Sequence, residues 1–133
     1  MDRLSVVFDI DGTICPIKNE GEEYEDLIPN SAILEQMKAY KKMGTKIVLF
    51  TSRNMNSYGG NIGLINVHTA KVLLAWLDKG EIPYDEIVYG KPWPGHYGFY
   101  VDDRAVRPDE FLRYDAETLL NICKLSRVRN EME

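Results

Sequence analysis

The run Phe8-Asp9-Ile10-Asp11-Gly12-Thr13 puts two carboxylates two positions apart, where an apolar stretch gives way to a glycine turn. Val6, Val7 and Phe8 ahead of it are β-prone and lack the spacing of an amphipathic helix, so they read as a buried strand. The aspartates therefore stand at its carboxyl end. In an open α/β sheet that is the edge where ligands bind, and neighbouring acids repel unless a cation holds them. The pair constrains the chain to a fold that can bring a positive charge, most simply a metal ion, to one end of a sheet.

The chain after this motif alternates in kind. Residues 17–29 are polar and acidic and read as a short flap outside the core, ending at Pro29. Asn30 or Ser31 caps a helix with Ile33, Leu34, Met37 and Tyr40 on one face, and Gly44 closes it. Ile47-Val48-Leu49-Phe50 is a second strand, delivering Thr51-Ser52-Arg53 at its end. Residues 54–66, rich in asparagine and glycine, read as a loop. A helix is expected from about Thr69 to Lys79, with Val72, Leu73, Trp76 and Leu77 on one face. Ile87-Val88-Tyr89 and Phe99-Tyr100-Val101 are two further strands, followed by Gly90-Lys91-Pro92 and by Asp102-Asp103-Arg104. Asp115 caps a last helix whose stripe of Leu119, Ile122, Cys123 and Ser126 suits packing. This order predicts a three-layer, Rossmann-like α/β fold, a parallel sheet with helices on both faces and right-handed crossovers. At 133 residues the chain is expected to form a single domain.

Composition narrows the function. The apolar fraction of 44% is that of a folded globular chain. A formal charge of −5 speaks against nucleic acid or a membrane surface as the main partner. Lys124, Arg127 and Arg129 alternate with Glu131 and Glu133 and read as a solvated helix end. With no membrane-length apolar stretch and no apolar leader, a cytoplasmic location is expected. Cys15 and Cys123 fit neither a metal motif nor a disulfide framework and are expected to be reduced. Cys15 lies close enough to the acidic pair for its alkylation to block the site, although a bystander role is the simpler reading.

Four strands thus deliver an acidic pair, a hydroxyl, a lysine and a second acidic pair to one sheet edge. A phosphate monoester carries about two negative charges, and carboxylates approach it only with help from a cation. Mg2+, with its preference for oxygen ligands, suits that role, while Thr51 and Lys91 suit the remaining phosphoryl oxygens.

The set Asp9-Ile10-Asp11-Gly12-Thr13, Thr51, Lys91 and Asp102-Asp103 resembles the four motifs of the haloacid dehalogenase superfamily, in order and across nearly the whole chain. The resemblance implies that Asp9 attacks phosphorus to form an aspartyl phosphate, and that Asp11 protonates the leaving alcohol and then activates water. It implies Mg2+ on the Asp9 carboxylate, the Asp11 backbone carbonyl and one of Asp102 and Asp103. An acid at the Asp11 position favours phosphate-ester hydrolysis over dehalogenation. Gly12, Thr13, Ser52, Arg53 and Asn54 are the implied substrate contacts. Asp11 to Thr51 and Thr51 to Lys91 each span 40 positions, used by core elements, so no cap domain is expected. An open site calls for a large substrate or for walls built by a neighbouring subunit, as in a homo-oligomer. Trp93, Tyr97, Phe99 and Tyr100 are candidates for such an interface.

Thr51-Ser52-Arg53-Asn54-Met55, Ile82-Pro83-Tyr84-Asp85 running into Gly90-Lys91-Pro92-Trp93, and Asp102-Asp103-Arg104-Ala105 resemble small capless members associated with capsule and surface-polysaccharide biosynthesis. That association implies a small phosphorylated substrate of the sugar phosphate class. The plainer roles are a loop anchor for Arg53, a turn residue for Asn54 and, for Arg104, an ion pair with the adjacent aspartates, which is favoured. His68 is expected to help begin a helix, and His96 lies in the loop beside Lys91. Three alternatives compete: a signalling receiver domain, a catalytically silent phosphate-binding module, and a phosphatase acting on a nucleic-acid end or phosphoprotein. The receiver is disfavoured because its phosphoacceptor aspartate comes from a middle strand and its lysine from the last.

Overall fold

The computed structural model describes residues 3–54, 57–89 and 97–130, the side chains of residues 108 and 111 excepted. Lys91, Trp93 and His96, three of the candidates above, lie outside the described residues, as does Met55.

Four parallel strands form one sheet: β1 (Ser5–Asp9), β2 (Lys46–Thr51), β3 (Glu86–Tyr89) and β4 (Gly98–Val101), in the order β3-β2-β1-β4. The strand that carries Asp9 is therefore an interior one, flanked by β2 and β4. β1 pairs with β2 from Ser5 opposite Lys46 to Asp9 opposite Phe50, and with β4 from Ser5 opposite Gly98 to Phe8 opposite Val101. Val6 and Val7 point to opposite faces and are both fully buried, as expected of a central parallel strand.

Two helices cover one face. Helix α1 (Ser31–Lys42) starts where Asn30 Oδ1 accepts the Ile33 N–H at 3.0 Å, and it buries Met37. Helix α3 (Ala70–Lys79) buries Leu73, Trp76 and Leu77, which share one core with Val6, Phe8, Ile47 and Leu49. Val7, Val48 and Phe50 form a second buried cluster, with Val88, on the opposite face. After β4 come α4 (Pro108–Arg113) and α5 (Ala116–Ser126), the latter capped by Asp115, whose Oδ1 accepts the Thr118 N–H at 2.9 Å. The parallel α/β class and the expected strands are thus present.

Two local expectations are corrected. Residues 62–66 are helical rather than loop: Asn61 caps a short helix α2 (Ile62–Leu64), which runs through a π-helical turn (Ile65–Thr69) into α3. The π turn holds His68, so this residue lies inside the helical stretch and does not begin it. The 17–29 segment is also not wholly outside the core. Leu27 is buried, and its carbonyl accepts the Trp76 indole N–H at 2.7 Å. On the edge strand β4, by contrast, Phe99 and Tyr100 stay 44% and 38% exposed. Among the described residues, no helix is long and apolar enough to cross a membrane.

Candidate active site

The site begins where β1 ends. Beyond Asp9 the chain turns sharply, and the Ile10 carbonyl accepts the N–H groups of Thr13 (3.1 Å) and Ile14 (2.8 Å). Gly12 makes the turn with φ of +91°, in the left-handed region. A Cβ there would lie 2.5 Å from Asp103 Oδ2, so glycine is needed for the approach of that carboxylate as well as for the turn.

Strand register brings the acids together. Because Phe8 pairs with Val101, the residues that follow, Asp9 and Asp102, leave neighbouring strands at the same level. Ligand oxygens of Asp9, Asp102 and Asp103 lie within 4.8 Å of one another. Thr13 Oγ1 donates to Asp9 Oδ2 at 3.1 Å. Burial, a hydrogen bond with Asp103 and the charges of Asp102 and Asp103 push the Asp9 carboxyl up to about 8, against the opposing hydrogen bond from Thr13. Three hard oxygen donors that cannot all ionise side by side form a set that a divalent cation such as Mg2+ fits.

This has a measurable consequence. Between the ordinary value of 3.8 and about 8 the folded chain keeps a proton on Asp9 that the unfolded chain has released. Stability then falls as pH rises through that window wherever no cation compensates. Thermal unfolding in EDTA should show the melting temperature dropping from pH 5 to pH 8, and added Mg2+ should flatten the slope. A melting temperature that rises with pH in EDTA would contradict the arrangement.

Asp11 is held differently. Arg53 Nε donates to its Oδ2 at 2.8 Å and Arg53 Nη2 to its Oδ1 at 2.9 Å, a bidentate pair. The Arg53 side chain is 1% exposed, with its guanidinium carbon 4.3 Å from the Tyr24 ring centroid and 5.4 Å from that of Trp76. Arg53 is therefore the anchor of Asp11. Thr51 is buried at the end of β2, and its Oγ1 accepts the Arg53 N–H at 3.0 Å. Ser52 is exposed. Asn54 occupies a left-handed turn position at φ of 61°, and its Oδ1 accepts the Thr69 hydroxyl at 2.8 Å, which fits the plainer of its two readings, a turn residue.

The favoured ion pair of Arg104 is replaced by another. Arg104 contributes its backbone N–H to Asp102 Oδ1 at 2.8 Å, while the guanidinium at the acidic pair is that of Arg127, whose Nε donates to Asp103 Oδ2 at 2.7 Å. Arg127 is thus no solvated helix end. The next residue is tied down too, with the Val128 N–H donating to the Gly12 carbonyl at 2.8 Å. No local pattern singled out Arg127, because its partner is distant in sequence.

Cys15 is fully buried, and its thiol donates weakly to Asp11 Oδ1 at 3.7 Å. Burial, followed by the Asp11 charge, pushes the thiol up to about 12, so almost no reactive thiolate forms near neutrality. Mass spectrometry after iodoacetamide at pH 8 should find the half-buried Cys123 labelled and Cys15 untouched. Labelling of Cys15 in the folded protein would refute the packing described.

The chain is similar to a crystallised structural target from Vibrio cholerae, at 43% identity over 93% of this chain and 98% of that one, with a TM-score of 0.61. This chain belongs to the same family as that protein. Weaker likenesses are to a chain of the Pnkp1/Rnl/Hen1 complex and to the D,D-heptose 1,7-bisphosphate phosphatase of B. bronchiseptica complexed with magnesium and phosphate. The first is 22% identical over 82% of this chain and 33% of that one, with a TM-score of 0.49. The second is 18% identical over 71% and 53%, with a TM-score of 0.45. No family model and no curated protein matches the chain.

Proposed function

We propose that this chain is a Mg2+-dependent phosphatase of the haloacid dehalogenase type, hydrolysing a small phosphate monoester through an aspartyl phosphate on Asp9. The observation that carries the proposal is the convergence of Asp9, Asp102 and Asp103 at the end of adjacent parallel strands, with Asp11, two residues beyond Asp9, paired to Arg53. Asp9, Asp102 and Asp103 are the side chains that would hold the cation, which when bound neutralises acids and phosphoryl oxygens alike.

In this reading an Asp9 oxygen forms a bond to phosphorus as the ester P–O bond breaks. The leaving alkoxide takes its proton from Asp11. Asp11 then removes a proton from water, whose oxygen attacks phosphorus and frees Asp9, releasing inorganic phosphate. Arg53 pairs with both Asp11 oxygens and so favours its carboxylate, the form that takes a proton from water; in the acid step one of these hydrogen bonds would give way to the Asp11 proton. The Thr51 hydroxyl already accepts from the Arg53 N–H and can still donate its own hydrogen to a phosphoryl oxygen. The resemblance assigns Lys91 a matching role.

A sugar phosphate is the substrate class proposed. The test is a panel of sugar phosphates, nucleotides and phosphopeptides, assayed for phosphate release with Mg2+ and with EDTA. Mg2+-dependent release from a small ester is expected. Release confined to phosphopeptides or to polynucleotide ends would replace the substrate class, and no release from any ester would end the phosphatase reading.

A further inference from the structure

Three consecutive residues at the end of α5 each reach Asp103 or the Gly12 turn that it lies against. Ser126 Oγ donates to the Asp103 carbonyl at 3.3 Å, Arg127 Nε donates to Asp103 Oδ2 at 2.7 Å, and the Val128 N–H donates to the Gly12 carbonyl at 2.8 Å. Ser126 shares its hydroxyl with the Cys123 carbonyl at 2.8 Å, so the Arg127 side chain and the Val128 backbone are the principal links. The segment is thinly packed otherwise. Helix α5 has no buried residue, and Arg127 and Val128 line an open cleft of about 360 Å³ shared with Ile17, Leu27 and Ile28. An element with so little apolar burial adds little to the core, so hydrogen bonds that converge on one site call for another account.

Asp103 supplies that account. It is 3% exposed, and with Asp9 and Asp102 it forms the set whose ligand oxygens lie within 4.8 Å of one another. Carboxylates this close repel, and without restraint they move apart. Arg127 pins one of them by Oδ2, which leaves Oδ1 for a cation. We infer that Arg127 is a positioning residue for the cation site, and that residues 126–128 form a strap which completes that site by holding Asp103 against the Gly12 turn. The inference rests on the reading of the three acids as a Mg2+ site, and not on which ester is hydrolysed.

Charge and position act in opposite directions here. A guanidinium beside the acids repels Mg2+, so if Arg127 acted through its charge alone, its removal would tighten Mg2+ binding. If it positions Asp103, its removal loosens binding by about tenfold, the lower end of what losing the partner of a metal ligand costs. The measurement is calorimetric titration of Mg2+ into the whole chain without substrate. Arg127→Met, which keeps much of the aliphatic stem, should bind Mg2+ about tenfold more weakly than the parent. Arg127→Lys, which keeps a cationic donor for the single hydrogen bond to Asp103, should recover most of that loss.

Linkage gives a second readout on the unaltered chain, valid whether or not the variants fold. A strap that strengthens Mg2+ binding is itself held by Mg2+. Hydrogen exchange at the Val128 amide, the donor to Gly12, should therefore slow severalfold at saturating Mg2+. Unchanged or tighter Mg2+ binding in Arg127→Met, Arg127→Lys binding no better than Arg127→Met, or Val128 exchange indifferent to Mg2+ would each overturn the inference, as would no Mg2+ binding by the parent. Mg2+-dependent ester hydrolysis without these binding and exchange effects removes the strap's role alone. The expected effects without hydrolysis of any ester remove the phosphatase reading alone.

Discussion

Replacing Asp9 by asparagine is expected to lower Mg2+-dependent phosphate release by at least about a thousandfold while leaving the fold intact. Asparagine matches aspartate in shape, so neither packing nor the Thr13 hydrogen bond demands rearrangement. What disappears is the nucleophile, without which the covalent route is closed and only positioning and electrostatics remain. The variant also removes one member of the three-acid cluster. It should therefore unfold at a higher temperature than the parent in EDTA at pH 8, because no carboxyl has to ionise against Asp102 and Asp103. The two readouts move in opposite directions, which separates loss of chemistry from loss of structure. Activity within tenfold of the parent would exclude Asp9 as the attacking group.

Gly12→Ala is expected to be the most damaging single methyl that can be added near the site. The position has φ of +91°, where a side chain costs about 1–2 kcal/mol, and the new carbon would sit 2.5 Å from Asp103 Oδ2. Forcing Asp103 aside adds about 1–3 kcal/mol of overpacking. A total of about 3 kcal/mol corresponds to a fall of roughly 10 °C in melting temperature for a domain of this size. Asp103 is also the acceptor of Arg127, so the strain passes to the segment that follows α5. Calorimetry should show both the lower melting temperature and weaker Mg2+ binding. An unchanged melting temperature would mean that Asp103 does not lie over this turn.

The parts of the molecule that were legible in the sequence are those whose signals are local. Val6-Val7-Phe8 followed by two acids and a glycine states a strand and its end within a few residues. Asn30 and Asp115 act as caps as their positions suggested, since a cap bonds only three residues ahead. What was not legible depends on partners far along the chain. The pairing of β4 with β1 rather than with β3 is a choice among strands of similar composition. Leu27 sits in an acidic stretch, and only the indole of Trp76 shows why it is inside. Residues 62–66 contain the glycine and asparagine typical of loops, yet the Asn61 cap and the burial of Ile65 carry the helix through them. In the site, Arg53 was visible as a candidate, but its direction was not. It turns inward to Asp11 because the two aromatic rings shelter its charge. Arg127 gave no signal at all, being one basic residue in a stretch of mixed charge.

The central place of β1 has a bearing on how the molecule is made. Val6, Val7 and Phe8 are synthesised before the other strands of this sheet, yet one flank of that strand stays unpaired until Gly98–Val101 has emerged. A half-translated chain therefore presents a bare, sticky border to its surroundings, the sort of edge on which nascent proteins clump. Chaperone dependence during translation, greatest for ribosome-stalled chains ending before residue 98, is the cost of placing the earliest strand in the middle.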